Sequence, residues 1–210
     1  MEIKSLILGP VSTNCYFFIN TETKETILID PADRADRIIA KISAEQLMPV
    51  AILLTHGHFD HIMAVEEVAH TYSIPYYICD AEAELMENPD LNGAYLLRES
   101  ISARRDRLVA DKEILELAGC AVEVLHTPGH TAGSVCYYIR EEKALFSGDT
   151  LFCNSVGRTD LPTGNSGVLL ASISEKLLCL PEETKVYPGH GMMTTIGHEK
   201  KNNPYLSMNY

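Results

Sequence analysis

Thr55-His56-Gly57-His58-Phe59-Asp60-His61 sets three imidazoles and a carboxylate within seven residues, directly after the apolar run Val50-Ala51-Ile52-Leu53-Leu54. In an extended segment positions i and i+2 share a side, so His56 and His58 reach a common point. Asp60 and His61 fall where a following helix would begin, turned toward a second point nearby. Neutral imidazole and carboxylate suit zinc and related divalent ions. The spacing predicts a metal site at the end of a buried strand, with room for two ions.

The rest of the composition sets bounds. The 210 residues suffice for one sizeable core, against about 100–200 per domain as the usual range, and a single domain over 1–210 is expected. With 46% hydrophobic and 22% charged residues, the chain is neither disordered nor membranous. No apolar stretch approaches the roughly 20 residues of a bilayer span. Met1-Glu2-Ile3-Lys4 does not read as a secretory signal, so a cytoplasmic location is expected. The six cysteines are scattered without a C-x-x-C pair, as in a reduced protein; Cys153, four residues after Asp149, reads as a packing thiol. Seventeen basic against 29 acidic residues give a formal charge of −12. That field opposes nucleic acid, whereas a small substrate, even an anionic one, stays compatible beside a bound dication.

Strand-like runs occupy Ile3 to Leu8, Cys15 to Ile19 and Thr26 to Ile29. A helix follows with Ala35, Ile38, Ile39 and Ile42 on one face and Asp33 as candidate cap. After the histidine loop, Ile62, Val65, Val68, Ala69 and Tyr72 mark one face of a further helix. Pro75 to Cys79 is a short strand, and 81–107 reads as mostly helical; 87–107 is either a lid over the metal edge or a surface excursion. Ile114–Leu117 and Val122–Leu125 form a hairpin turning at Gly119, followed by strands at Val135–Ile139, Ala144–Phe146 and Lys185–Tyr187. Helices are expected over Val168–Leu178 and Thr195–Asn202.

What leaves the ends of these runs is informative. Val122–Leu125 exits into His126-Thr127-Pro128-Gly129-His130, Ala144–Phe146 into Ser147-Gly148-Asp149, and Lys185–Tyr187 into Pro188-Gly189-His190. Four strands thus each deliver a metal-type side chain through a loop, as rigid scaffolds usually present chemistry.

T-H-x-H-x-D-H, then H-T-P-G-H-T-x-G, then S-G-D-T-L-F, then P-G-H resemble the metallo-β-lactamase superfamily, in the expected order and over nearly the whole chain. The resemblance implies an α/β, four-layer αββα sandwich of two mixed sheets flanked by helices, with metals at one edge. It implies that His56, His58 and His130 hold one ion and Asp60, His61 and His190 a second, with Asp149 bridging. Two divalent ions, zinc in the first instance and iron or manganese otherwise, would then carry a bridging hydroxide onto an acyl carbon, with Asp60 also orienting the nucleophile. Ligating histidines need the second ring nitrogen held, and Asp30 is the candidate for one such contact or else a turn residue.

Within the superfamily, secreted β-lactamases are disfavoured, since their pattern has arginine where this chain has His61. Gly148-Asp149-Thr150-Leu151-Phe152, Gly157-Arg158-Thr159-Asp160-Leu161 and Thr194-Thr195-Ile196-Gly197 look like short glyoxalase II-type hydrolases, which implies a thioester such as a 2-hydroxyacyl-glutathione, with Arg158 contacting the glutathione moiety. The family's separate C-terminal glutathione-binding domain is not expected here, and Met192 stands where that family places a tyrosine. Persulfide dioxygenases share the histidine motif and use one iron, in the pattern of His56, His130 and Asp149; a non-catalytic metal-binding domain is a third reading. His70 and His198 read as solvated, and His126, just before the ligand loop, as either an outer contact of the metal site or a satisfied structural histidine.

Overall fold

The computed structural model describes residues 1–206. Strands β1 (Glu2–Leu8), β2 (Thr13–Ile19) and β3 (Glu25–Ile29) form an antiparallel meander. Helix α1 (Ala35–Ala44) crosses to β4 (Met48–Leu53), and α2 (Phe59–Ile62) with α3 (Val65–Tyr72) crosses to β5 (Tyr76–Cys79); both added strands run parallel to their neighbours. After α4 (Ala83–Glu87), β6 (Arg107–Val109) closes this six-stranded sheet, again in parallel.

The second six-stranded sheet is built from β7 (Ile114–Leu117), β8 (Cys120–His126), β9 (Val135–Ile139) and β10 (Ala144–Gly148) as antiparallel neighbours. A small hairpin, β11 (Leu151–Phe152) with β12 (Ser155–Val156), and helix α5 (Ser166–Ser172) precede β13 (Lys185–Pro188), which joins β10 in parallel; β14 (Thr194–Thr195) and α6 (Ile196–Asn202) finish the order.

Three apolar layers hold four structural ones together. Alternate residues of one strand feed opposite layers: Phe17 and Leu28 face α1 and α3, whereas Phe18, Ile27 and Ile29 face the other sheet. Across that inner layer stand Val124, Tyr137 and Phe146, while Leu125, Tyr138, Leu145 and Val186 point outward onto α5 and α6. Strands covered on both faces read as continuous apolar runs, which is why the runs stood out in the sequence. The result is the expected αββα sandwich.

Several elements differ from expectation. The single helix expected through Ile62 divides at Ala64, whose N–H donates to Pro31 O at 3.0 Å instead of continuing the helix. Asp33 does not take the cap position of α1; Arg34 does, in the left-handed region, with its N–H on Asp33 Oδ1. Residues 81–107 carry only α4 and two 3₁₀ turns, because buried Asn92 binds the Ile101 carbonyl and the Ala94 N–H, competing with helical bonds. Edge strand β6 was not anticipated, its arginine-flanked sequence being largely exposed. The helix expected from Val168 starts two residues earlier, where Asn165 Oδ1 caps the Val168 N–H, and after Ser172 it widens into a π-helical turn over Ile173–Leu177.

Phe18 is fully buried between the sheets, its ring edge-on to Phe146. Phe18→Ala is expected to lower unfolding free energy by about 3–5 kcal/mol, read from urea denaturation; a loss below about 1 kcal/mol would contradict this packing.

Candidate metal centre

The loops leaving β4, β8, β10 and β13 meet at one edge of the sandwich. The turn after β4 is extended through His58, which occupies the cap position of α2, and Asp60 and His61 lie in that helix's only turn. A bulge between Phe146 and Gly148, where β10 pairs with β13, turns Asp149 inward. Gly148 has φ +47°, and any Cβ there would strike Thr55 Oγ1. At Gly189 a Cβ would collide with Asp149 Oδ1 and lie 2.7 Å from His61 Cε1, so only glycine leaves this space open.

Two sets of ligand atoms result. His56, His58 and His130 converge, with His58 Nδ1 2.9 Å and His56 Nε2 3.3 Å from His130 Nε2. Asp60, His61 and His190 form the second set, with Asp60 Oδ2 3.5 Å from His61 Nε2 and 3.2 Å from His190 Nε2. Asp149 stands between them, Oδ1 at 3.4 Å from His61 Nε2, and Oδ2 at 3.6 Å from His130 Nε2 and 3.5 Å from His190 Nε2. All seven side chains expected from the sequence therefore come together.

Outer contacts decide where ring protons go. His61 Nδ1 lies 2.9 Å from Asp30 Oδ2, and His130 Nδ1 lies 2.7 Å from the Arg158 carbonyl, acceptors that draw the N–H outward. Thr55 Oγ1 donates to Asp30 Oδ2 at 2.6 Å, which leaves it to accept from His56 Nδ1 at 3.1 Å. In each neutral ring the inward Nε2 is then a lone pair. His58 Nε2, His61 Nε2 and Asp149 Oδ1 are buried without a hydrogen-bond partner. Inward lone pairs, carboxylates and orphaned atoms fit a divalent cation set; the cluster is a His/Asp site for divalent metal.

Charge follows the same division. Burial lowers His56, brings His58 to about 3 and lowers His130. Burial pulls His61 and His190 the same way, but facing carboxylates outweigh it, lifting His61 well above its ordinary value and His190 to about 9. Burial opposes ionisation of Asp60 and Asp149, yet His61 and His190 hold Asp60 at about 2 and Asp149 well below the carboxylate range. Without a cation, protons on His61 and His190 balance the two carboxylates. Ion binding must displace them, so loading at pH 7 is expected to release about two protons per chain, with affinity rising toward pH 9. Calorimetry in buffers of different ionisation enthalpy measures this, and proton-neutral loading would contradict it.

Asp30, at φ +49° and 1% exposed, also accepts from the Thr55 N–H at 2.8 Å, tying β3 to the histidine loop. Arg158 contributes its carbonyl, while its guanidinium forms a bidentate pair with Asp160 at 2.7 and 2.8 Å on the cavity rim. His126 Nε2 binds the Ala132 carbonyl at 2.9 Å, supporting the His130 loop. Cys153 meets His198 and Glu199 within 4.8 Å, but Glu199 is already bonded to Thr194, Asn154 and Asn203, and His198 to Asn154.

Sequence reasoning missed Thr13 and Glu82. Thr13 Oγ1 donates to Asp60 Oδ2 at 2.8 Å. Fully buried Glu82 joins two ligand loops, accepting from the Gly57 N–H at 3.0 Å, Thr131 Oγ1 at 2.9 Å and the Gly133 N–H at 2.7 Å. No motif marks it; it lies in a polar stretch whose neighbour Glu84 is exposed. Burial pushes its carboxyl up to about 7 from an ordinary 4.5, so its contribution to stability is greatest below 4.5 and falls as pH rises through 7. Glu82→Ala strands three donors and is expected to cost about 3 kcal/mol and at least roughly tenfold in metal affinity. Glu84→Ala is the control in denaturation and metal titration, and equal effects of the two would remove Glu82 from this role.

The sequence model of the metallo-β-lactamase superfamily matches residues 8–190. A probable metallo-hydrolase of Bacillus subtilis, YqgX, is 40% identical over 99% of this chain and 98% of its own length. The hydroxyacylglutathione hydrolase GloC of Haemophilus influenzae is 35% identical over 99% of both chains. Among solved structures, the BLEG-1 B3 metallo-β-lactamase superposes with a TM-score of 0.94 at 46% identity, covering 98% of this chain and 100% of its own. TTHA1623 in a di-iron-bound form gives 0.87 at 40% identity, with 97% and 100% covered. The chain belongs to the metallo-β-lactamase superfamily.

Proposed function

We propose that the protein is a dinuclear metal-dependent hydrolase of thioesters or related acyl substrates, acting in the cytoplasm. The observation that carries this is the paired set of ligand atoms with Asp149 between them. His56, His58 and His130 would hold one ion and Asp60, His61 and His190 the other, with Asp149 shared; zinc is the expected metal, and the di-iron form of a similar protein supports two ions while leaving iron as a candidate. When bound, such a pair supplies hydroxide near neutral pH and Lewis acidity toward an acyl oxygen.

The chain's own groups do the rest. Thr13 fixes one Asp60 oxygen, which aims that carboxylate to orient a water. Asp30, Thr55 and the Arg158 carbonyl keep the ring lone pairs inward. Among the described residues lining the cavity, every carboxylate and imidazole belongs to the ligand set, so none is spare as a general acid. A thiolate, whose conjugate acid has pKa about 8.5, leaves without one, whereas an amine does not. The hydroxyacylglutathione hydrolase relative supports the same bond. All six cysteines are free thiols, in keeping with a reducing compartment.

Thioester hydrolysis by the zinc-loaded protein, followed by thiol release, is the test, with nitrocefin cleavage and oxygen uptake on glutathione persulfide run in parallel. His130→Ala and Asp60→Ala are expected to lower bound metal below about two ions and turnover about a thousandfold, with the fold retained by circular dichroism. One iron per chain with oxygen uptake, or β-lactam cleavage without thioester cleavage, would overturn the reading.

A further inference from the structure

The cavity over the ligand atoms encloses about 200 Å³, below the roughly 300–1,000 Å³ typical of pockets for drug-sized ligands. Its floor is the ligand cluster, and its walls are apolar: Val11, Phe59, Leu96, Leu97 and Leu161. Val11 and Leu96 are 48% and 56% exposed despite their size. The wall is built rather than incidental. Asn92 carries it: its carbonyl accepts from the Phe59 N–H at 3.0 Å, anchoring the 93–97 turn to the start of α2, while its buried amide ties the turn to Ile101.

Among the described residues lining this space Arg158 is the only lysine or arginine, and Asp160 already pairs with it. The chain carries a formal charge of −12. A tripeptide thiol with two carboxylates meets no unpaired lysine or arginine among the described residues lining this space, whereas a short hydrocarbon tail meets apolar side chains on several sides.

We infer that the site selects thioesters by an apolar acyl chain, seated against Val11, Phe59, Leu96, Leu97 and Leu161 with the carbonyl at the metal floor, rather than by a charged glutathione moiety. This rests on the thioester reading above and specifies its substrate class. Hydrolysis follows the same balance: water's oxygen joins the acyl carbon, the C–S bond breaks, and the thiolate leaves with the sulfur electron pair. Each methylene moved from water into such a wall raises specificity about fourfold, until the cavity is filled.

The test uses the zinc-loaded full chain and one neutral thiol, N-acetylcysteamine, bearing acetyl, butyryl or hexanoyl groups, alongside S-lactoylglutathione. The expected result is kcat/KM rising at least about tenfold from acetyl to hexanoyl, with lactoylglutathione below hexanoyl. In Leu96→Asn and Leu97→Asn the hexanoyl-to-acetyl ratio is expected to fall at least about threefold; a ratio is insensitive to general loss of activity. No dependence on chain length, preference for lactoylglutathione, or an unchanged ratio in both variants overturns this inference while thioester hydrolysis stands. Failure to cleave any of the four compounds overturns both together.

Discussion

Three histidines, His56, His61 and His130, each face a protein acceptor on the side away from the metal centre, and the rest of the site depends on that arrangement. A neutral imidazole has one proton and one lone pair, so an acceptor behind the ring determines what stands in front of it. Asp30 takes the proton of His61 and the hydroxyl of Thr55, and Thr55 is thereby left to accept from His56. One buried carboxylate thus orients two rings from two different segments. The Arg158 carbonyl does the same for His130. Ring nitrogens aimed at one another at 2.9–3.3 Å are a repulsive arrangement unless a proton or cation lies among them.

The sandwich makes that arrangement possible by confining polar chemistry to an edge. Strands buried on both faces have no room for unpaired polar groups along their length, so ligands appear where β4, β8, β10 and β13 end. Buried carboxylates such as Asp30 and Glu82 are costly, and they are retained at positions where they tie separate loops to one another. Glu82 links the His56–His58 loop to the His130 loop, and Asp30 links the end of β3 to both Thr55 and His61.

Much of this was legible in the sequence because its signals are local. Ligand-type residues after apolar runs, with glycine before His130, Asp149 and His190, marked the edge and all seven side chains that meet there. Long-range partners were not legible. Thr13 sits at a strand start, Glu82 in a polar stretch, and Arg158 contributes a carbonyl that its side chain does not reveal. The 81–107 segment read as helical from composition, yet Asn92 redirects its backbone and makes it a wall of the cavity.

Crystallography of the zinc-loaded protein with anomalous scattering tests the central claim most directly. The account predicts two ions about 3.5–4 Å apart, one at about 2.1 Å from ring nitrogens of His56, His58 and His130, the other on Asp60, His61 and His190, with Asp149 touching both. A single ion held only by His56, His130 and Asp149, with Asp60, His61 and His190 turned away, would contradict it.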